Sequence, residues 1–175
     1  MASIQVSKLD AARRQLETAI RLYFSHGDPV SIHSLAAAAY NVVRDVGEKR
    51  GAPPMLLKDK LVDNVRPEAQ TRFRNKINEA ENFFKHADRD HDSVHDFDPE
   101  FSEVFLLDAC DQYYRLTAEV LPIFGVYRSW FIANHPDFFD LSKLGPAKDQ
   151  APALAALGRT AFLQQMLPLA TMMQT

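Results

Sequence analysis

One cysteine in 175 residues leaves no internal disulfide to form, so the chain is not a small domain stapled by cross-links. That residue, Cys110, follows the apolar run Phe105-Leu106-Leu107 and reads as a small buried side chain, because a reactive thiol needs an activating neighbour. Long hydrophobic runs are also lacking. None approaches the ~20 residues that span a bilayer, and the apolar stretch from Ala151 is interrupted by Arg159, Gln164, Gln165 and Pro168. Residues 1–8 show no basic region leading into an apolar core, so no secretory leader is expected. A cytoplasmic location without a membrane partner is the expectation by elimination. Positive charge is not in excess: 20 Lys and Arg stand against 23 Asp and Glu. That argues against non-specific nucleic-acid binding, although it leaves room for a local basic patch. No P-loop, dinucleotide fingerprint or zinc-finger spacing is present, and Ser31 and Ser34 lack a strand-turn-helix elbow. No cofactor is expected.

No segment alternates apolar and polar residues with β-branched enrichment, so no sheet is expected. What is present is helical periodicity. Ser7, with Asp10 three residues on, starts a first helix carrying Leu9, Ala12, Leu16, Ala19, Ile20, Tyr23 and Phe24 on one side, with Gly27 as its stop. Asp28-Pro29 supplies an N-cap acceptor followed by proline, and opens a second helix whose run Ala36–Ala39 lets a neighbour approach closely. After an irregular stretch with room for a short helix between Met55 and Val62, Pro67 opens a third long helix through Ala87. Asp98-Pro99 repeats the start signal for a helix to about Leu121 that is apolar on most of its circumference and belongs in the middle of a bundle. A short aromatic helix with Phe124, Tyr127, Trp130 and Phe131 follows, then a linker at Gly145-Pro146, then a last helix from Pro152 to about Met173, bent at Pro168. The expectation is an all-α single domain, 1–175, built as a bundle of five to seven helices. Residues 145–175 are expected to form a C-terminal arm that packs on a partner subunit, because Leu154, Leu157, Phe162, Leu163, Met166, Leu167, Leu169, Met172 and Met173 exceed what one face can hide.

The third long helix carries the candidate site. At about 100° per residue, Asn75, Asn78, Glu79, Lys85, His86 and Arg89 fall within roughly 60° of Asn82, opposite Phe73, Ile77, Ala80, Phe84 and Ala87. The stripe is either ordinary solvated surface or a ligand site. Asparagine is a poor interior helix former, yet three asparagines share this face. Asn75, Asn78, Asn82 and His86 are therefore the candidate ligand-binding residues. Asn82 and His86, one turn apart, can hold one ligand together, and Lys85 brings positive charge beside them.

Other constellations are weaker. The loop from His86 to Asp98 is dense in acids and histidines, and Asp88, Asp90, His91 and Asp92 are its metal candidates. A calcium loop counted from Asp88 would have Ser93 where glycine is required and Pro99 where glutamate is required. No metal is therefore assigned, and the loop reads as solvated, with Asp98 capping the next helix. His33 reads as a neutral core or capping histidine. Trp130, Tyr127 and Phe131 read as core packing rather than a base-stacking platform.

The segment Asn82-Phe83-Phe84-Lys85-His86 resembles the Asn-x-x-Lys-His element of a group of bacterial all-helical proteins, and the stretch from Leu9 to Tyr40 resembles the front part of the same group. That resemblance covers about two thirds of the chain and implies a fold but no established activity. More distantly, the arrangement is similar to HEPN domains, dimeric helical bundles many of which are ribonucleases. Their motif is an arginine, a polar residue, then a histidine after a gap of four to six residues. Arg74-Asn75 matches its start, but Glu79, Ala80 and Glu81 stand where the histidine belongs.

Two functions of different class follow. One is a homodimeric binding or regulatory module, HEPN-like in outline, with a nucleic acid or nucleotide as its ligand. The other is a ribonuclease or other phosphodiester-acting hydrolase. There His86 would be the acid/base, Lys85 would stabilise phosphate charge, Asn82 and Arg74 would assist, and a metal-dependent variant would draw on Asp88, Asp90 and His91.

Overall fold

The computed structural model describes residues 3–88, 90–140 and 150–173, and among these there is no strand. The chain runs through α1 (Lys8–Phe24), α2 (Pro29–Lys49), a π-helical turn (Leu56–Lys60) continuing into α3 (Leu61–Asp63), and α4 (Pro67–Lys85). It continues through α5 (Phe101–Thr117), α6 (Pro122–Asn134), a 3₁₀ turn (Pro136–Phe138), α7 (Ala151–Ala155) and α8 (Arg159–Met172). Six of these helices are 13 residues or longer. The all-helical bundle expected from the period is the observed fold.

The helix starts form through local chemistry. Ser7 Oγ accepts from Asp10 N at 3.0 Å, and Asp28 Oδ2 accepts from Ser31 N at 2.7 Å, each satisfying an amide that the first turn leaves without an intrahelical partner. The α1–α2 corner is built differently from expectation. His26, not Gly27, takes the left-handed conformation, with φ 55. Its N–H donates to Tyr23 O while Gly27 N donates to Leu22 O at 2.8 Å, the Schellman arrangement. Gly27 serves close approach: a Cβ there would meet the Leu22 side chain at 3.0 Å.

The core lies between α1, α2, α5 and α6. Leu16, Ile20, Phe24, Tyr40, Val43, Phe105, Leu106 and Tyr127 are completely buried, and Ala36, Ala37 and Ala39 have no exposure as α2 passes between α1 and α5. Cys110, Trp130 and Phe131 are core residues, as read from the sequence. Burial pushes the Cys110 thiol well above its ordinary value.

Four boundaries differ from the sequence expectation. α5 starts at Phe101 with Glu100, not Asp98, as its N-cap, while Asp98 Oδ1 accepts from Glu100 N at 3.0 Å in the turn before it. α4 stops at Lys85, because His86 adopts extended angles. α5 stops at Thr117 instead of Leu121. Thr117 Oγ1 donates to Tyr113 O and accepts from Glu119 N, competing with the helical ladder. Ala118 then turns left-handed at φ 55, and the residue before Pro122 is biased away from α. The last helix is two pieces with Gly158 as the N-cap of α8, which continues past Pro168 to Met172.

The Gly145-Pro146 linker lies outside the described residues. The C-terminal arm is not simply reserved for a partner. Phe162 is fully buried and stacks on Phe24 with ring centroids 6.1 Å apart. Trp130 meets Phe162 edge-on at 5.1 Å, and Thr160 Oγ1 donates to Phe24 O at 2.9 Å. The first half of α8 thus closes the chain's own core. Leu169, Met172 and Met173, near its end, remain exposed.

Candidate functional site: the two flanks of α4

Pro67 places its missing N–H at the first turn of α4, where no intrahelical partner exists. The helix buries Ile77, Ala80 and Glu81. Its polar stripe, continuous in the helical projection, is divided by what packs on either side.

One flank faces the segment that follows the helix. After His86 the chain reverses, and His95 and Phe97 fasten it down. The His95 ring lies 5.3 Å from Phe83 at a tilt of 34°. Phe97 meets Phe84 and His33 edge-on, both at 5.1 Å. The returning segment and α4 enclose a groove of about 1100 Å³. Asn75, Asn82 and His86 line it from the helix, along with Arg72, Lys76, Glu79 and Phe83. Asp88, Asp90, Ser93, Val94 and His95 line it from the returning chain. Its charge is mixed. Lys76 pairs with Glu79, two aspartates stand on the far wall, and among the described residues Arg72 makes no ion pair. Asn75, Asn82 and His86 are all exposed, so their carboxamides and imidazole are available to a ligand.

The other flank faces the π-turn and α2. Lys85 turns toward Glu81, with Nζ 2.6 Å from Oε1, and does not line the groove. Asn78 is half-buried. Arg74 lines a separate cleft of about 360 Å³ with Arg44, Lys58 and Asp59. The structure thus joins Asn75, Asn82 and His86 but sets Arg74, Asn78 and Lys85 apart from them. Arg89 lies outside the described residues.

The metal candidates scatter. Asp88 and Asp90 face the groove, while His91 points to Asp92 at 3.0 Å, with side-chain exposures of 75% and 92%. Among the described residues no three His, Cys, Asp or Glu side chains converge as a metal site would require.

The periodic reading passed over a buried polar network. Lys58, at the middle of the π-turn, places Nζ 2.9 Å from Glu81 Oε2 and 2.8 Å from Asn41 Oδ1, and 5.3 Å from the ring centroids of both Tyr40 and Phe105. Asn41 also donates to Glu81 Oε1. Burial pulls Lys58 below its usual value, and the Glu81 hydrogen bond opposes it. Burial would raise Glu81, but hydrogen bonds and charge from Lys58 and Lys85 hold it below the ordinary carboxylate range. Glu81 is therefore ionised at neutral pH, and Lys58 Nζ forms an ion pair with it at 2.9 Å. The turn itself is fixed by Asp108 Oδ2, which accepts from Leu57 N and from Tyr40 OH, both at 3.0 Å, and by Tyr40 OH, which accepts from Lys58 N at 3.1 Å. Through these contacts Lys58 pins the turn to α4. One signal was available: Glu81 lies on the edge of the apolar face of α4, and Lys58 interrupts Met55-Leu56-Leu57 and Leu61-Val62.

Another buried carboxylate, Glu103, ties α1, α5 and α8 to the residue that caps α6. Its Oε1 accepts from Tyr23 OH at 2.6 Å and from Arg159 at 3.2 Å, and its Oε2 lies 2.8 Å from His135 Nε2. Nearby, His33 is completely buried. Its Nδ1 lies 3.0 Å from Ser102 Oγ, and burial drives its pKa down to about 4. It is the neutral core histidine expected from the sequence.

No protein-family model, curated protein or solved structure matches the chain.

Proposed function

We propose that the chain is a bacterial, cytoplasmic binding module, HEPN-like in outline and homodimeric, that takes a nucleotide or a nucleic-acid strand in the groove of α4 without catalysing a reaction. One observation carries this reading: the carboxamides of Asn75 and Asn82, the imidazole of His86 and the Phe83–His95 ring pair all border one groove of about 1100 Å³. Carboxamides recognise base edges and rings stack on base faces, which is the pairing by which single-stranded nucleic acid is bound. The groove's mixed charge suits a specific contact better than bulk attraction to phosphate. Arg74 and Lys85, the cations that a HEPN-style nuclease would set beside His86, are directed elsewhere. The homodimer is supported by Leu169, Met172 and Met173, which are 55%, 71% and 88% exposed near the end of α8.

Fluorescence anisotropy with labelled single-stranded RNA tests the ligand. Asn82→Ala and His86→Ala should each change stability by no more than about 0.5 kcal/mol, as exposed substitutions do. Each should weaken binding, with effects that do not add, because both side chains meet one ligand. No binding by the wild type, or equal binding by the variants, overturns the reading. A monomer by light scattering at tens of micromolar overturns the homodimer.

A second reading rests on His95 lining the same groove as His86. Two imidazoles on one groove supply the acid and base that phosphodiester cleavage uses. Product formed from RNA, with and without EDTA, and lost in either His86→Ala or His95→Ala, would favour the hydrolase. Intact RNA after incubation would remove it.

A further inference from the structure

Resting on the nucleotide reading of the α4 groove, we infer that its base subsite selects adenine, and that the ligand reaches along α4 as a strand rather than stopping at one nucleotide. The base subsite is the end of the groove where Asn82 and His86 stand beside the half-buried rings of Phe83 and His95. His95, held 5.3 Å from Phe83, is the platform for the base. Asn82 is the edge reader. A carboxamide presents one acceptor and one donor side by side, which matches the N6 amine and N7 of adenine in a bidentate pair. The corresponding edge of guanine offers two acceptors, O6 and N7, and asks for two donors from one group, as a guanidinium supplies. The guanidinium that borders the groove, that of Arg72, is ten residues before Asn82, about 15 Å down the helix axis at ~1.5 Å per residue. It is too far away to read the same base. On that Hoogsteen edge pyrimidines have no N7 acceptor beside the group at C4, and they offer a smaller face to the platform.

The same spacing argues for a strand. Asn75 lies two turns before Asn82, about 10 Å along the axis, and repeats the carboxamide on the same groove. Arg72, a further turn on, makes no ion pair among the described residues and stands where a following phosphate would lie. Lys76 is the second cation on that wall, already shared with Glu79. With at most two cations engaged, log affinity should fall with log salt at a slope no steeper than roughly −1.4, far shallower than non-specific cationic binding gives.

The test is competition against a labelled hexaadenylate, read by anisotropy, using hexaadenylate, hexauridylate, hexacytidylate, AMP and GMP as probes. Hexaadenylate should compete roughly tenfold or more better than either pyrimidine oligomer, and AMP better than GMP by a similar factor, the scale of one bidentate pair. Asn82→Asp replaces the donor with a second acceptor at constant size on an exposed position, so circular dichroism should be unchanged while the preference for adenine disappears. Arg72→Ala should flatten the salt slope by roughly 0.7 and leave the base preference intact. Equal competition by all oligomers within about twofold, or an adenine preference that survives Asn82→Asp, overturns the adenine assignment while the wider nucleotide reading stands. AMP competing as well as hexaadenylate overturns the strand and makes the free nucleotide the ligand. If the labelled hexaadenylate and labelled hexauridylate both fail to bind, the wider reading falls as well.

Discussion

His33 should make this fold measurably weaker in mild acid. The imidazole has no exposure to solvent. It is surrounded edge-on by Phe84, Phe97 and Phe105 at 5.9, 5.1 and 5.2 Å. Burial is the main cause of its low value of about 4; the Glu81 charge opposes it, and the cations of Lys58 and Lys85 each add a smaller push downward. In the unfolded chain the same group titrates near 6.5. Between those two values the unfolded state binds the proton and the folded state refuses it, so stability rises with pH and is lost as pH falls through the window from about 6.5 to 4. At pH 5 the unfolded imidazole is almost wholly protonated while about one-tenth of the folded population is. That difference removes about 2 kcal/mol relative to pH 7, approaching about 3 kcal/mol once pH passes below 4. Against a typical domain stability of roughly 5–15 kcal/mol, the loss is easily seen. Urea unfolding followed by circular dichroism at pH 7 and pH 5, at fixed protein concentration, measures it. The control is His33→Phe, which keeps an aromatic ring in the cage. It gives up the Ser102 hydrogen bond, at a pH-independent cost of about 1 kcal/mol. Glu81, held low by its lysines, contributes stability that is present above its ordinary value near 4.5 and lost as pH falls from there through its depressed one, below the pH 7-to-5 interval being compared. The variant should lose the 7-to-5 difference. If it weakens between pH 7 and 5 as much as the wild type, the assignment of that proton to His33 is wrong.

Glu81→Gln should cost about 3 kcal/mol or more in urea unfolding, because it strips the counter-charge from the buried Lys58 ammonium, whereas Lys58→Met with Glu81→Leu should recover much of that loss. A cost below about 1 kcal/mol would mean that the pair behaves like a surface ion pair. Ala118→Gly should stabilise by about 0.5–1 kcal/mol and raise Tm, since a residue with a Cβ is held left-handed at φ 55; a neutral or destabilising result would refute the strain. Cys110, buried with its thiol pushed up, should react with an aromatic disulfide reagent only at the rate of unfolding, and prompt labelling in native buffer would contradict its place in the core.

The starts of α1 and α2 were readable in the sequence because their chemistry is local. Ser7 and Asp28 bond to amides three residues on, wherever the helix is later packed. The apolar stripes of α1, α2 and α5 were readable for a similar reason: a period of 3.6 decides which side chains share a face, and one face of each had to be buried. Helix ends were less legible. Thr117 hydrogen-bonds to its own turn and Gly158 interrupts the last helix, and the period continues through both. On α4 the sequence established that Asn75, Asn82 and His86 share a side. It could not establish that the side would be split, because the period says nothing of which neighbour covers which flank. That was decided by Lys58, 23 residues from Glu81 in the chain, and by His95 and Phe97 folding back on Phe83 and Phe84. Glu103 shows the same limit, gathering Tyr23, His135 and Arg159 from separations of 80, 32 and 56 residues. The pattern along a chain fixes what each element must hide. Only the crossing of elements decides which buried charge meets which partner, because a charge removed from water is stabilised by the particular group within a few ångströms of it.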